Sequence, residues 1–303
     1  MSLVARFPAG SVAIILLGTC APLPAQAPLA AAMPVAEAAA PAPVPGRFGL
    51  TGSLTQGGIA IGAAPRGTTL LMFGDVPVPI APDRRFLIAF DRDAPMGAQL
   101  TATLENGSRV EEALTIAPRA WDIQRLATVA KVPMGQPAYD RLRPPEVAQI
   151  NAARRMQTDA QGWRQPFLWP VTGRISTLFG SQRIYKNGEA GSYHSGIDIA
   201  RPAGTPVLAP ADGVVILATA APFTLEGNMV MVDHGMGLNS ALMHLSRIDV
   251  TVGQHVRRGQ PIGLVGKTGA RVTGPHLHWG LKWRESRIDP LLLAGPMPVA
   301  DDR

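Results

Sequence analysis

Apolar positions along the chain change their spacing from one end to the other. Between Ser11 and Gly18 they are consecutive, with Val12, Ala13, Ile14, Ile15, Leu16 and Leu17 following Arg6. Such a run is too short for a bilayer-spanning helix, which needs roughly 20 residues. A basic start, a short apolar core and small residues after it predict an export signal over residues 1–27. Ala25-Gln26-Ala27 fits the small-x-small cleavage rule; Leu17-Gly18-Thr19-Cys20 is a rough lipoprotein-type box, which makes a lipid anchor at Cys20 the alternative. Residues 28–46 are almost all Ala and Pro, with a single charge at Glu37, and have no face to bury; they predict an extended, semi-rigid tether.

From residue 47 the apolar positions alternate or cluster in short runs. Phe48, Leu50 and Leu54, then Thr69 to Phe73, Arg85 to Phe90, Leu100 to Leu104 and Val110 to Ile116 have strand-like length and spacing. Gly74-Asp75, Pro82-Asp83 and Asn106-Gly107 punctuate them. Asn-Gly between two such runs predicts a hairpin with a type I′ turn. Residues 47–118 therefore predict a small β-sandwich-like domain. Residues 119–166 form a linker, in which Pro144-Pro145-Glu146 followed by Val147 to Ala160 predicts a helix starting at the prolines, with a thin apolar stripe of Val147, Ile150 and Ala153. Residues 167–293 again read as short, glycine-punctuated strands, and 294–303 are a tail. The fold class is mainly β.

Composition narrows the function. In 303 residues, 46% hydrophobic and 17% charged, there is enough apolar material for a core, which excludes a wholly disordered chain. The formal charge of +6 is modest, and no aromatic-basic reading motif accompanies it, so nucleic acid is not an expected partner. A single cysteine excludes a disulfide framework and a cysteine-based zinc site. No further stretch is long and apolar enough to cross a membrane. All six histidines lie between His194 and His278.

Those histidines fall into local patterns: Tyr193-His194-Ser195-Gly196-Ile197-Asp198, Met243-His244-Leu245, and Gly274-Pro275-His276-Leu277-His278-Trp279. In a strand, residues two apart share a face, so His276 and His278 can converge on one ion or one scissile bond. His194 and Asp198 bracket Gly196 and can reach a common site. Zinc accepts imidazole and carboxylate, and a catalytic site uses three protein ligands and leaves a fourth place for water. His, Asp and His supply that set, and the remaining histidines are available for proton transfer and charge stabilisation. His255 reads as a solvated turn residue; His234 reads as a strand-end residue that can at most support the site from behind.

These motifs resemble the M23 family of zinc peptidases, the LytM or lysostaphin type, over roughly residues 167–293. The resemblance continues through Gly204 to Val215, Gly227 to Gly235, Gly259-Gln260-Pro261-Ile262-Gly263 and Thr273 to His278. It implies an antiparallel β domain with a groove across a sheet. It implies Zn2+ on His194, Asp198 and His278, catalytic roles for His244 and His276, and cleavage of stem peptides or cross-links in bacterial peptidoglycan. Together with the export segment it implies the cell envelope, most simply the periplasm, with envelope proteins as regulators. Many members carry an aromatic residue where Leu242 stands; if that ring borders the groove, specificity shifts here. Tyr185 and Tyr193 are candidates to offer a phenol to the oxyanion.

Two other classes compete. A catalytically silent or autoinhibited regulator of other wall hydrolases would have lost motif residues or have its groove plugged; none of the five positions is missing. A biotinyl- or lipoyl-type carrier shares runs such as Asp212-Gly213-Val214-Val215, but Lys186, Lys267 and Lys282 have no hairpin-tip setting and a carrier has no use for His-x-His.

Overall fold

The computed structural model of the chain describes residues 47–127, 137–270 and 272–298, with backbone alone at Pro137 and Ala138. The predicted export segment, the tether, Cys20 and the end of the tail from residue 299 lie outside the described residues.

The first β region consists of two antiparallel sheets. One orders Val76–Pro77, Thr68–Phe73, Gly97–Leu104 and Arg109–Thr115; the other orders Thr51–Gly52, Ile59–Ala63 and Arg85–Ala89. Their inner faces bury Phe48, Leu71, Phe86, Ile88 and Leu100, and Phe48 meets Phe86 edge to face at 6.0 Å. The hairpin at Asn106-Gly107 is present, but its turn is not type I′. Only Gly107 has positive φ, at 79°; its N–H donates to Leu104 O and the Leu104 N–H donates to Ser108 O. That is a three-residue loop with glycine in the left-handed position. The Asn106 side chain instead accepts from the backbone N–H and hydroxyl of Ser108.

The second region is built on one antiparallel sheet. Its order is His255–Val256, Gly213–Ala218, Asn228–Asp233, Leu238–Leu245, His276–Trp283, Ile197–Ala200 and Arg174–Thr177, with Ser286–Ile288 also paired to His276–Trp283. A smaller sheet orders Pro206–Leu208, Pro261–Leu264 and Arg247–Ile248. One face of the large sheet packs Ile197, Ile199, Leu277, Trp279 and Leu281 into a core that is continuous with that of the first β region. The other face carries a second cluster, in which Met229, Met231 and Ala241 are covered by Ile150 and Ala153 of a helix.

That helix runs Pro137–Arg155, so it begins before the prolines and ends sooner than the proline signal predicts. Pro144 and Pro145 lie inside it. Interior prolines forfeit helix hydrogen bonds, and tertiary contacts at this point offset the loss. The Arg143 guanidinium grips both Glu226 carboxylate oxygens at 2.6 and 2.8 Å, and buried Glu146 accepts from the Thr224 N–H and hydroxyl at 2.7 and 2.6 Å. The linker is also tied down by its parallel pairing of Ile123–Arg125 with Gln182–Ile184. No helix among the described residues is long and apolar enough to cross a membrane.

Candidate active site

Strand register brings the first two groups together. Asp198 stands directly across from His278 in the antiparallel pair of Ile197–Ala200 with His276–Trp283. Alternation sends Ile197, Ile199, Leu277 and Trp279 to the core and leaves Asp198, His276 and His278 on the opposite face. His194 arrives from the loop before this strand, and Gly196 is what lets that loop pass. A Cβ at residue 196 would collide with the Trp279 carbonyl oxygen and stand 2.8 Å from His278 Nε2.

The resulting atoms converge. His194 Nε2 lies 3.1 Å from Asp198 Oδ1 and 3.0 Å from His278 Nδ1, and His278 Nδ1 lies 2.9 Å from the same carboxylate oxygen. Tetrahedral zinc with bonds of 2.0–2.2 Å sets its ligand atoms about 3.4 Å apart, so this trio needs only a few tenths of an ångström of expansion to hold such an ion. Burial opposes ionisation of Asp198, but hydrogen bonds from His194 and His278 and their charges overcome it and hold the carboxyl well below the usual range. Burial lowers the pKa of His278. Both shifts favour the ligating forms, a carboxylate and a neutral imidazole. The site opens on one side, with side-chain exposures of 20% at His194, 16% at Asp198 and 17% at His276.

His244 and His276 complete the cluster, with ring centroids 4.8 Å apart and His244 6.1 Å from His278. Strict alternation along Leu238–Leu245 would turn His244 to the core beside Leu242. A register shift opposite it, between Asn228 and Val230, and a positive φ of 64° at His244 itself turn it to the groove. A non-glycine residue in that region stores backbone strain of about 1–3 kcal/mol, a cost that recurs at functional sites. The strained position is held by the His244 N–H donating to Glu226 O at 2.9 Å, and Glu226 is the residue gripped by Arg143.

Backbone carbonyls set the ring orientations. Nδ1 of His194 faces Leu178 O at 3.1 Å, Nδ1 of His244 faces Thr268 O at 3.0 Å, and Nδ1 of His276 faces Gly274 O at 2.9 Å. A carbonyl only accepts, so each Nδ1 carries the proton and each Nε2 is the working atom. Burial, followed by the neighbouring His278 and His276, pushes His244 down to about 4. The Leu178 and Thr268 carbonyls and the Arg143–Glu226 clasp had no sequence signal, because each lies well along the chain from the histidine it serves; only the Gly274 carbonyl is local to its histidine, His276.

The other candidates sit elsewhere. His234 is fully buried on the core side, its Nδ1 2.8 Å from Asp212 O and its Nε2 2.7 Å from Ser240 Oγ. His255 is exposed on a short edge strand rather than a turn. Leu242 is fully buried in the core, on the face away from the histidines, so residue 242 does not border the groove. The Tyr193 hydroxyl donates to Asp91 at 3.0 Å and is not directed at the cluster. Tyr185 lies at a turn closed by Gly188 N–H donating to its carbonyl.

A sequence profile described as peptidase family M23 matches residues 192–290. The peptidoglycan DD-endopeptidase ShyA of Vibrio cholerae is 43% identical over 124 residues, which are 41% of this chain and 28% of that protein. The DD-carboxypeptidase/endopeptidase Mpg of Neisseria meningitidis is 41% identical over 128 residues, 42% of this chain and 29% of that protein. The match thus spans less than a third of either relative. A crystal structure assigned to peptidase M23, from Pseudomonas aeruginosa, superimposes with a TM-score of 0.61 at 30% identity, covering 80% of this chain and 96% of that one.

Proposed function

Because the chain belongs to peptidase family M23, we propose that it is a zinc-dependent endopeptidase of the bacterial cell envelope that hydrolyses peptide bonds in peptidoglycan. The observation that carries this reading is the convergence of His194 Nε2, Asp198 Oδ1 and His278 Nδ1 within one ion's reach, with the rings of His244 and His276 beside them. The two relatives described above, named for DD-endopeptidase or carboxypeptidase activity, support the substrate class.

His194, Asp198 and His278 would hold the zinc. When bound, it supplies Lewis acidity and a water of lowered pKa, near 7 in comparable sites. The remaining work falls to His244 and His276. With Nδ1 of each committed to a carbonyl, Nε2 is the atom that exchanges protons. One accepts the proton of the attacking water at Nε2 and, as the imidazolium so formed, returns it to the leaving amine; the other donates to the developing oxyanion from Nε2 when its ring is protonated at both nitrogens. Their shared support by backbone fixes both rings before substrate arrives, which limits reorganisation during reaction. The predicted export segment over residues 1–27 places this chemistry where the polymer is.

The test is metal analysis of the mature protein together with digestion of purified peptidoglycan and identification of the products. About one zinc per chain and release of cross-linked or stem peptides are expected. A zinc-saturated, folded protein that releases no peptide would overturn the reading.

A further inference from the structure

His244 is held at two points, and both lead to one loop. Its N–H donates to Glu226 O at 2.9 Å, and its Nδ1 faces Thr268 O at 3.0 Å. Thr268 is itself seated on the loop that contains Glu226. The Thr268 hydroxyl accepts from the Asn228 N–H at 2.9 Å, and Gly227, at a φ of 63°, lies so close that a Cβ there would collide with the Thr268 backbone. Thr224 O accepts from the Ala270 N–H at 2.7 Å. Residues 224–228 therefore fix both the backbone and the ring of His244.

The same loop is gripped from outside by the helix Pro137–Arg155. Arg143 spans both Glu226 carboxylate oxygens, and Glu146, one turn further on, accepts from the N–H and hydroxyl of Thr224. Arg143 and Glu146 also pair with each other at 3.3 Å. A bidentate arginine–carboxylate contact fixes orientation as well as distance. With side-chain exposures of 20% and 12%, this one is only weakly screened by salt. Anchoring the helix to the sheet does not account for these contacts, because Ile150 and Ala153 do that further along, on Met229, Met231 and Ala241. The need for a firm hold lies at His244. A non-glycine residue at a φ of 64° keeps that conformation only where its surroundings over-determine it.

We propose that Arg143 is a positioning residue for His244, acting through Glu226, and that Glu146 secures the same loop at Thr224. The linker helix thereby sets the geometry of the peptidase site from a segment that precedes the M23 match over residues 192–290. Misplacing a reacting group by about 1 Å can cost about 10² in rate. The loss should fall on kcat and leave KM nearly unchanged, because His244 acts on the transition state. This inference rests on the peptidase reading above.

The test uses zinc-loaded mature protein and two readouts. One is kcat and KM on a soluble cross-linked peptide fragment of peptidoglycan; the other is hydrogen exchange at the His244 backbone amide. Arg143→Gln and Glu226→Gln should each keep zinc and KM, lower kcat by about tenfold or more, and speed His244 exchange by a similar factor relative to other amides of Leu238–Leu245. The double variant should be no worse than either single one, since both remove the same contact. Arg143→Lys, which keeps the charge without the fork, should recover part of the loss. Ile150→Val, which loosens helix packing away from the loop, should lower the Tm and change neither readout. Should Arg143→Gln fail to fold, the near-isosteric Glu226→Gln carries the comparison. An additive double variant, unchanged His244 exchange, or a kcat no lower than that of Ile150→Val overturns the positioning role while leaving the peptidase reading intact. A wild type that cuts nothing, but whose His244 amide is released by the clasp variants alone, keeps the positioning role and removes the peptidase reading. Unchanged exchange without cleavage removes both.

Discussion

Asp91 and Tyr193 join the first β region to the loop that carries His194. One Asp91 oxygen accepts the Tyr193 phenol at 3.0 Å, and the other accepts the Arg287 N–H at 2.8 Å. Tyr193 immediately precedes His194, so a residue more than a hundred positions upstream braces a proposed zinc ligand. The neighbouring Arg92 reinforces the contact by donating to Gly180 O at 3.0 Å and stacking over Tyr193 at 4.8 Å. The first β region is therefore part of the site's support.

Asp91→Ala should lower unfolding free energy by about 1–3 kcal/mol, because it leaves a half-buried hydroxyl and a backbone N–H without an acceptor. Tyr193→Phe should cost about 1 kcal/mol. Asp91→Ala should also release zinc to a competing chelator more readily than wild type, whereas Glu111→Gln, at an exposed edge, should not. Urea titrations and chelator competition check this; unchanged zinc retention in Asp91→Ala would mean that the brace does not reach His194.

Replacing the proposed ligands and the proposed catalytic residues should give different signatures. His278→Ala should lose zinc and cleavage together. His244→Ala and His276→Ala should keep zinc while peptide release falls by at least about 10². His255→Ala should change neither. Zinc content and peptide release, measured side by side on the four proteins, decide the matter; zinc loss in a folded His276→Ala protein would refute this division of roles.

Gly196→Ala should act on the metal through packing. The added methyl meets the Trp279 carbonyl and His278 Nε2, and relief requires moving one of the two strands. Overpacking of this kind costs about 1–3 kcal/mol. The variant should be less stable and bind zinc more weakly, while Gly274→Ala, which has open space around its Cβ position, should resemble wild type in both measurements.

His234 predicts a pH dependence. Burial pushes its pKa from 6.5 to about 4 in the folded chain. Between those values the unfolded chain binds a proton that the folded chain does not, so stability falls as pH drops through that window and levels off below it. The contribution is about 3 kcal/mol. Unfolding free energies of wild type and His234→Gln at pH 7.5 and 4.5 isolate it, since other titrating groups are common to both. The advantage of wild type should shrink at the lower pH; a constant difference would show that His234 is not held neutral by burial.

Much of the site was legible in one dimension because its chemistry is local. His276-Leu277-His278 puts both imidazoles on one face by strand period alone, and His194 and Asp198 are close enough in sequence to meet around Gly196. The hairpin at Asn106-Gly107 was equally readable, since glycine supplies positive φ at little cost, although the class of turn was settled by the register of the flanking strands. The mainly β class followed from the same short apolar runs.

Only the tertiary structure decided where His244 points, how far the helix extends, and what lies around the proposed metal ligands. His244 reaches the groove through a register shift and a strained φ, neither of which a residue pattern encodes. Pro144 and Pro145 stay helical because Arg143 and Glu146 are anchored to Glu226 and Thr224, about eighty residues further along. Leu242 faces the core for a reason of the same kind. Which side chains share a cavity depends on strand pairing and helix docking between distant segments, and those contacts are fixed by packing in three dimensions, where sequence separation has no bearing on distance.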